Sequence, residues 1–299
     1  MTIVVGYDGR LEGRDAVALG TSLARALDEP LLVACVHQSP ETALGLSAAE
    51  LRAQAERTAA EGAATAPAEL ERRHIAVLGR SAAQGLHDFA EEERPTALVV
   101  GSSHRGPLGR VIAGNVASRL FVGSACPVAV APRGYARRPD TQLRSIGVGF
   151  DDSPESWNAV QRAAALGVAA GATLRVIHAL QPVIAPPMAP EESERLTREL
   201  RAHRELALNR AAASVSKDLR AETTLLVGDP VLVLEHEASR GLDLLVLGAR
   251  GYGPLRRVLL GSVSTELVCH SPCPVLVVPR SVEFDPHAGG MAARDEVAA

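Results

Sequence analysis

The sequence predicts an α/β protein made of two tandem, doubly wound domains. Each is read as a five-stranded parallel sheet of order 3-2-1-4-5 with helices on both faces. Three observations carry this reading. Short Val- and Leu-rich runs alternate with longer helix-period segments, the pattern of right-handed strand–helix–strand crossovers. The series then occurs a second time: Ser124 to Arg133 and Ser271 to Arg280 share seven of ten residues. Finally, 46% of the chain is hydrophobic but only 3% aromatic, so Ala, Val and Leu must fill the cores. Small aliphatics of that kind suit strands buried on both faces.

The first unit opens with Ile3-Val4-Val5-Gly6-Tyr7-Asp8, an apolar run closed by an acid. A helix is expected from about Arg14 to Leu27, then a strand from Pro30 to His37. The Ala/Glu-rich stretch from Ala48 to Arg73 has the propensity and length of one long helix. A strand at His74 to Leu78, a helix at Ala82 to Glu92 and a strand at Thr96 to Val100 follow. Gly101 then begins a glycine loop, Asn115 to Val122 a helix, and Pro127 to Ala131 the fifth strand.

The second unit repeats this order with strands at Ile146–Asp151, Thr173–His178, Thr223–Gly228, Leu242–Leu247 and Pro274–Val278. Between Thr173–His178 and Thr223–Gly228, the Glu- and Arg-rich segment from Glu191 to Arg220 reads as an exposed, salt-bridged helix. The expected domains are residues 1–133 and 145–280, joined by a Gly/Arg/Pro-rich linker at 134–144. Residues 281–299 lack periodicity and read as a disordered tail.

Charge and cysteine usage narrow the function classes. A formal net charge of −4 argues against nucleic acid or an anionic membrane as partner. No window of apolar residues is long enough to span a bilayer. Met1 runs directly into the first strand, so no leader peptide is expected, and a reducing cytoplasm fits the four scattered cysteines. Cys269-His270-Ser271-Pro272-Cys273 lacks a second ligand pair at zinc spacing.

The chemistry concentrates at Gly248-Ala249-Arg250-Gly251, followed by Gly261-Ser262-Val263-Ser264. Glycines at a strand–helix junction supply unusual backbone angles and let main chain approach a ligand. The free N–H groups at a helix start suit an anion. In a 3-2-1-4-5 sheet the ends of strands one and four are neighbours where the winding reverses, so Asp151 and this loop would face one crevice. Asp8 and the loop at Gly101 would do so in the first unit. Asp151-Asp152-Ser153-Pro154 is equally a good helix start, with Ser153 as cap and Pro154 as first helical residue. His37 and His178, each near the end of a second strand, read as structural.

These residues resemble the universal stress protein family in its tandem form, whose signature is Gly, two residues, Gly, nine residues, Gly, then Ser or Thr. Gly248, Gly251, Gly261 and Ser262 match it, and the resemblance runs from Thr2 to Arg280. It implies a Rossmann-like, adenine nucleotide α-hydrolase-like fold, ATP as ligand (with or without Mg²⁺) and a role in stress-responsive regulation. It further implies that Asp151 meets the adenosine end, Ala179 offers backbone to adenine, and Gly248, Arg250 and Gly251 line the ribose and phosphate side. Gly261, Ser262, Val263 and Ser264 would hold the phosphates. The first unit departs from the signature: Asp8, Gly101 and Gly114 are kept, but His104 replaces the second glycine and Asn115 the Ser or Thr. Domain 2 is therefore expected to be the stronger site.

Two other readings stay open, a nucleotide-free interaction protein and a slow ATP hydrolase. Against the hydrolase, no Gly-x-x-x-x-Gly-Lys-[Ser/Thr] loop is present and the only lysine, Lys217, is remote in sequence from both glycine loops. The two units are expected to cover each other's fifth-strand edges as an internal pseudo-dimer, and a homodimer of whole chains is compatible with the resemblance.

Overall fold

The computed structural model describes residues 1–38, 47–103, 110–111, 114–138, 141–182, 190–249 and 261–279. In the first half the strands are β1 (Ile3–Gly6), β2 (Leu31–His37), β3 (Arg72–Leu78), β4 (Ala97–Gly101) and β5 (Val128–Ala131). They alternate with α1 (Leu11–Leu27), α2 (Ala48–Ala64), α3 (Ala82–Glu93) and α4 (Asn115–Leu120). The second half repeats them as β6 (Ser145–Gly149), β7 (Thr173–Leu180), β8 (Ala221–Val227), β9 (Leu244–Gly248) and β10 (Val275–Val278). Its helices are α5 (Pro154–Ala170), α6 (Pro190–Ala213), α7 (Pro230–Ser239) and α8 (Ser262–His270).

Local chemistry explains most boundaries. Helix α2 starts with a capping box in which Ser47 and Glu50 satisfy each other's backbone N–H groups. It stops at Ala64 rather than running to Arg73. Thr65 folds its hydroxyl back onto the Gly62 carbonyl at 2.7 Å, and Pro67 follows, unable to donate a helical bond. The residues from Arg72 onward are instead claimed by pairing with β2, beginning at Leu31. Helix α6 ends at Ala213 and carries the expected exposed i,i+4 pairs, Arg195–Glu199 and Arg201–Glu205.

All ten strands form one sheet in the order β3-β2-β1-β4-β5-β10-β9-β6-β7-β8. Pairing is parallel within each half and antiparallel at the single joint between β5 and β10, where Val275 faces Val130 and Val277 faces Val128. The repeated Ser-x-Cys-Pro segment makes the same turn twice. Ser124 donates its hydroxyl to the Cys126 carbonyl at 2.7 Å, and Ser271 does so to Cys273 at 2.9 Å. Both thiols are buried, which pushes Cys126 up to about 11 and Cys273 up to about 12.

One buried cluster covers the face of the sheet that carries α1 and α5 and runs through both halves, including Leu19, Tyr135, Val160 and Val278. The connector between the halves belongs to this core. Tyr135 opens a 3-10 turn and is 2% exposed, with the Arg138 guanidinium over its ring. Buried Asp15 on α1 accepts from the N–H groups of Gly134 (2.7 Å) and Ala136 (2.9 Å). Burial raises its carboxyl pKa, and those two hydrogen bonds oppose the shift. At the equivalent place on α5, Asn158 donates to the Pro279 carbonyl at 2.8 Å.

Candidate functional site

Each half has a crevice at the carboxyl ends of its central strands, where β1 has β2 on one side and β4 on the other, and β6 has β7 and β9. In the second half Asp151, Ala179, Gly248, Gly261, Ser262, Val263 and Ser264 all line one crevice. Residues about a hundred positions apart in sequence are thus brought together by the winding of the sheet. In the first half Asp8, Gly101 and Gly114 line the matching crevice. Asn115 contributes the first turn of α4. Arg250, Gly251 and His104 lie outside the described residues.

Gly248 is where fold and site meet. A Cβ on it would lie 2.5 Å from the carbonyl oxygen of Glu155, in the first turn of α5. Gly101 stands in the same relation to the Glu12 carbonyl on α1. The absent side chain lets the helix that follows strand one close over the end of strand four. Sequence reasoning passed over Glu12 and Glu155, which line their crevices at equivalent positions. The signal was there, since an acid four residues after Asp8 recurs four residues after Asp151.

Asp151 is held by its own turn. Ser153 donates to its Oδ1 from both backbone and hydroxyl, and the Ser153 hydroxyl in turn caps α5 by accepting from Ser156 N–H at 3.2 Å. Asp151 thus organises the helix start and also lines the crevice. Asp152 adopts φ +67° and accepts from the Trp157 indole at 2.9 Å, while Trp157 stacks edge-on against Phe150. In the first half Asp8 makes the same backbone contact, accepting from Arg10 N–H at 3.1 Å, with an arginine where the second half has the Ser153 hydroxyl.

The end of the crevice opposite Ala179 and Pro230 is framed by α8. Its cap, Gly261, makes no side-chain hydrogen bond to the helix start, and the first N–H groups of any helix lack intrahelical acceptors. The Ser264 hydroxyl donates to the Gly248 carbonyl at 3.1 Å, which ties the helix start to the end of β9. Backbone N–H groups and Ser262 are left as the donors for an anion. With Asp151 and Glu155 nearby, the described walls carry acidic rather than basic side chains. The helix terminus is thus the local feature that favours negative charge. Helix α4 also has an uncapped glycine start, at Gly114, but spans only six residues against nine for α8.

His178 is buried, and its Nδ1–H donates to the Phe150 carbonyl at 2.7 Å, pinning β7 to the end of β6. Burial pulls its pKa down. The hydrogen bond gives His178 a structural contact between the two strands. His37 differs: its Nδ1 is buried with no hydrogen-bond partner among the described residues. Ser102, at the end of β4, likewise has an unpartnered buried hydroxyl where the second half has Ala249.

Comparison with known proteins decides the family. A family model described as the universal stress protein family matches residues 1–132 and again 142–279. The chain belongs to the universal stress protein family. Universal stress protein Rv2319c of Mycobacterium tuberculosis is 30% identical over 301 residues, covering 93% of this chain and all of that protein. Universal stress protein Rv2005c of the same organism is 29% identical over 296 residues, covering 93% and 97%. A universal stress protein structure from Archaeoglobus fulgidus superimposes with a TM-score of 0.69 at 18% identity, over 94% of this chain and 98% of that one. That likeness bears on the fold. Among the described residues no helix is long and apolar enough to cross a membrane.

Proposed function

We propose that this universal stress protein is an ATP-binding regulatory protein that acts in the cytoplasm. The nucleotide is held where strands one and four of each half meet, more strongly in the second half. The observation that carries the reading is the convergence of Asp151, Gly248 and the uncapped start of α8 on one crevice. Asp151 and the backbone at Ala179 would take the adenosine end. Gly248, with Arg250 and Gly251 of the intervening loop, would line the ribose and phosphate side. Gly261 to Ser264 would receive the phosphates. Asp8, Gly101, His104, Gly114 and Asn115 would form the weaker first site.

Hydrogen bonds from neutral donors to phosphate oxygens contribute roughly 1.5–3 kcal/mol each, so a few suffice for micromolar binding. At millimolar ATP such a site is filled and stabilises the fold by about 4 kcal/mol. On this reading ATP is a ligand rather than a fuel: the sequence has no Gly-x-x-x-x-Gly-Lys-[Ser/Thr] loop, and its one lysine, Lys217, is remote in sequence from both glycine loops. With β5 and β10 paired inside the chain, any homodimer of whole chains has to use other surfaces.

The test is nucleotide content per chain: denature the purified protein, separate the released ligands and quantify them. The expected result is bound ATP that falls by at least one equivalent in Gly261→Asp, whose carboxylate would occupy the helix start. A preparation that releases no nucleotide and also fails to bind ATP on titration would overturn the proposal.

A further inference from the structure

The two crevices are built on equivalent positions with different side chains, and the difference falls at the end that would take the base. Ala34, Ala82 and Val100 line the first crevice where Ile177, Pro230 and Leu247 line the second. The equivalence is fixed by the fold. Gly6 pairs with Ala34 as Gly149 pairs with Ile177. Val100 and Leu247 each precede the glycine that ends the fourth strand. Ala82 and Pro230 are each the first helical residue after a capped start, at Ser81 and Asp229.

Two of these residues bear on the same floor. A Cβ on Gly6 would meet Val100 at 3.3 Å, and one on Gly149 would meet Leu247 at 3.0 Å. At all three pairs the larger residue stands in the second half. Three lining positions run the other way: Val36 against Ala179, Tyr7 against Phe150 by one hydroxyl, and Arg10, whose side chain is largely exposed, against Ser153. The cavity volume is ≈ 500 Å³ in the first half and ≈ 120 Å³ in the second. Close-packed walls do not yield to an extra methylene without cost, so such differences translate into selectivity.

We propose that the two crevices admit bases of different size: the first takes a purine nucleotide enlarged on its base, and Ile177, Pro230 and Leu247 restrict the second to the unsubstituted base. This rests on the nucleotide reading of the same crevices. One tandem chain would then answer to two ligands, a selective site with the stronger phosphate grip and a permissive site with the weaker one.

The experiment is calorimetric titration of the full-length chain with ATP and with N6-benzyl-ATP, the second site being identified by its loss in Gly261→Asp. N6-benzyl-ATP is expected to bind at one site per chain, the one retained in Gly261→Asp. Ala34→Ile should weaken N6-benzyl-ATP at least tenfold more than it weakens ATP, in the range of roughly 10–200-fold that a methylene's worth of pocket commands. Because Ala34→Ile could act by misfolding, the reciprocal Ile177→Ala is required to gain a second N6-benzyl-ATP site. Binding of N6-benzyl-ATP to the wild-type second site overturns the proposal, as does an Ala34→Ile chain that treats both ligands as wild type does. ATP binding with no N6-benzyl-ATP site also overturns it while leaving the nucleotide reading intact. Failure of ATP itself to bind removes both.

Discussion

Gly248 carries a requirement of the fold and a requirement of the site in one missing methyl group. The atom that a Cβ would strike is backbone, the Glu155 carbonyl, so no rotamer change relieves the clash. Gly248→Ala should therefore destabilise the chain by about 1–3 kcal/mol in chemical denaturation and weaken nucleotide binding with it. Unchanged stability would refute the packing role. His178 gives a pH signature. Its folded pKa lies below the ordinary histidine value of 6.5 because burial disfavours the imidazolium; the hydrogen bond to the Phe150 carbonyl opposes this, Arg204 adds to it, and Asp151 and Asp152 oppose it. The unfolded chain thus takes up the proton first on acidification. Stability is full above about pH 7 and falls as pH drops through 6.5 towards the folded value. Melting temperature against pH should show this slope, and His178→Gln should flatten it. The sequence placed His178 near a strand end; that the ring turns inward to the Phe150 carbonyl depends on β6 lying beside β7.

Among the elements, the strands were the most readable, and of the side-chain caps the sequence reading identified Ser153. Ser47, Ser81, Ser153 and Asp229 all cap helices through their side chains, and each announces itself as a polar residue at the head of a helix-period segment. Ser153 joins cap to site, since it also holds Asp151. Ser153→Ala should cost about 1 kcal/mol of stability through the lost cap. It should also weaken ATP binding through the loosened Asp151, an effect that equilibrium titration would detect. An affinity equal to that of wild type would separate the two roles. Helix α2 shows what propensity cannot decide. Arg72 and Arg73 are good helix formers, yet they pair with Leu31 and Leu32 because β2 offers a ladder there. Local preference gives way where a long-range backbone partner satisfies the same groups.

For the whole molecule, the joint between β5 and β10 turns two domains into one ten-stranded sheet. It hides Val-rich edges that would otherwise template association. A chain cut to residues 142–279 should therefore expose β10 and self-associate through it, giving about twice the monomer mass by sedimentation at concentrations where the full chain stays monomeric. A monomeric fragment would show that the edge is tolerated in water. The halves also meet away from the strands. Val111 donates its N–H to the Ser271 carbonyl at 2.9 Å, and Arg110 reaches the His270 carbonyl, so the first half rests on the turn after α8.

The duplication, the alternation of strands and helices, and the acids and glycines at strand ends are local or periodic features, and one chain of letters displays them without folding. Other facts arise between segments distant in sequence. Examples are the contact of Glu155 with Gly248, the burial of Tyr135 in a stretch that reads as a plain linker, and the opposed sizes of Ala34 and Ile177 in matching crevices. Each depends on which surfaces the winding of the sheet brings within van der Waals reach. Periodicity assigns a residue to a face, but only closure of the sheet and its helices sets what that residue meets there.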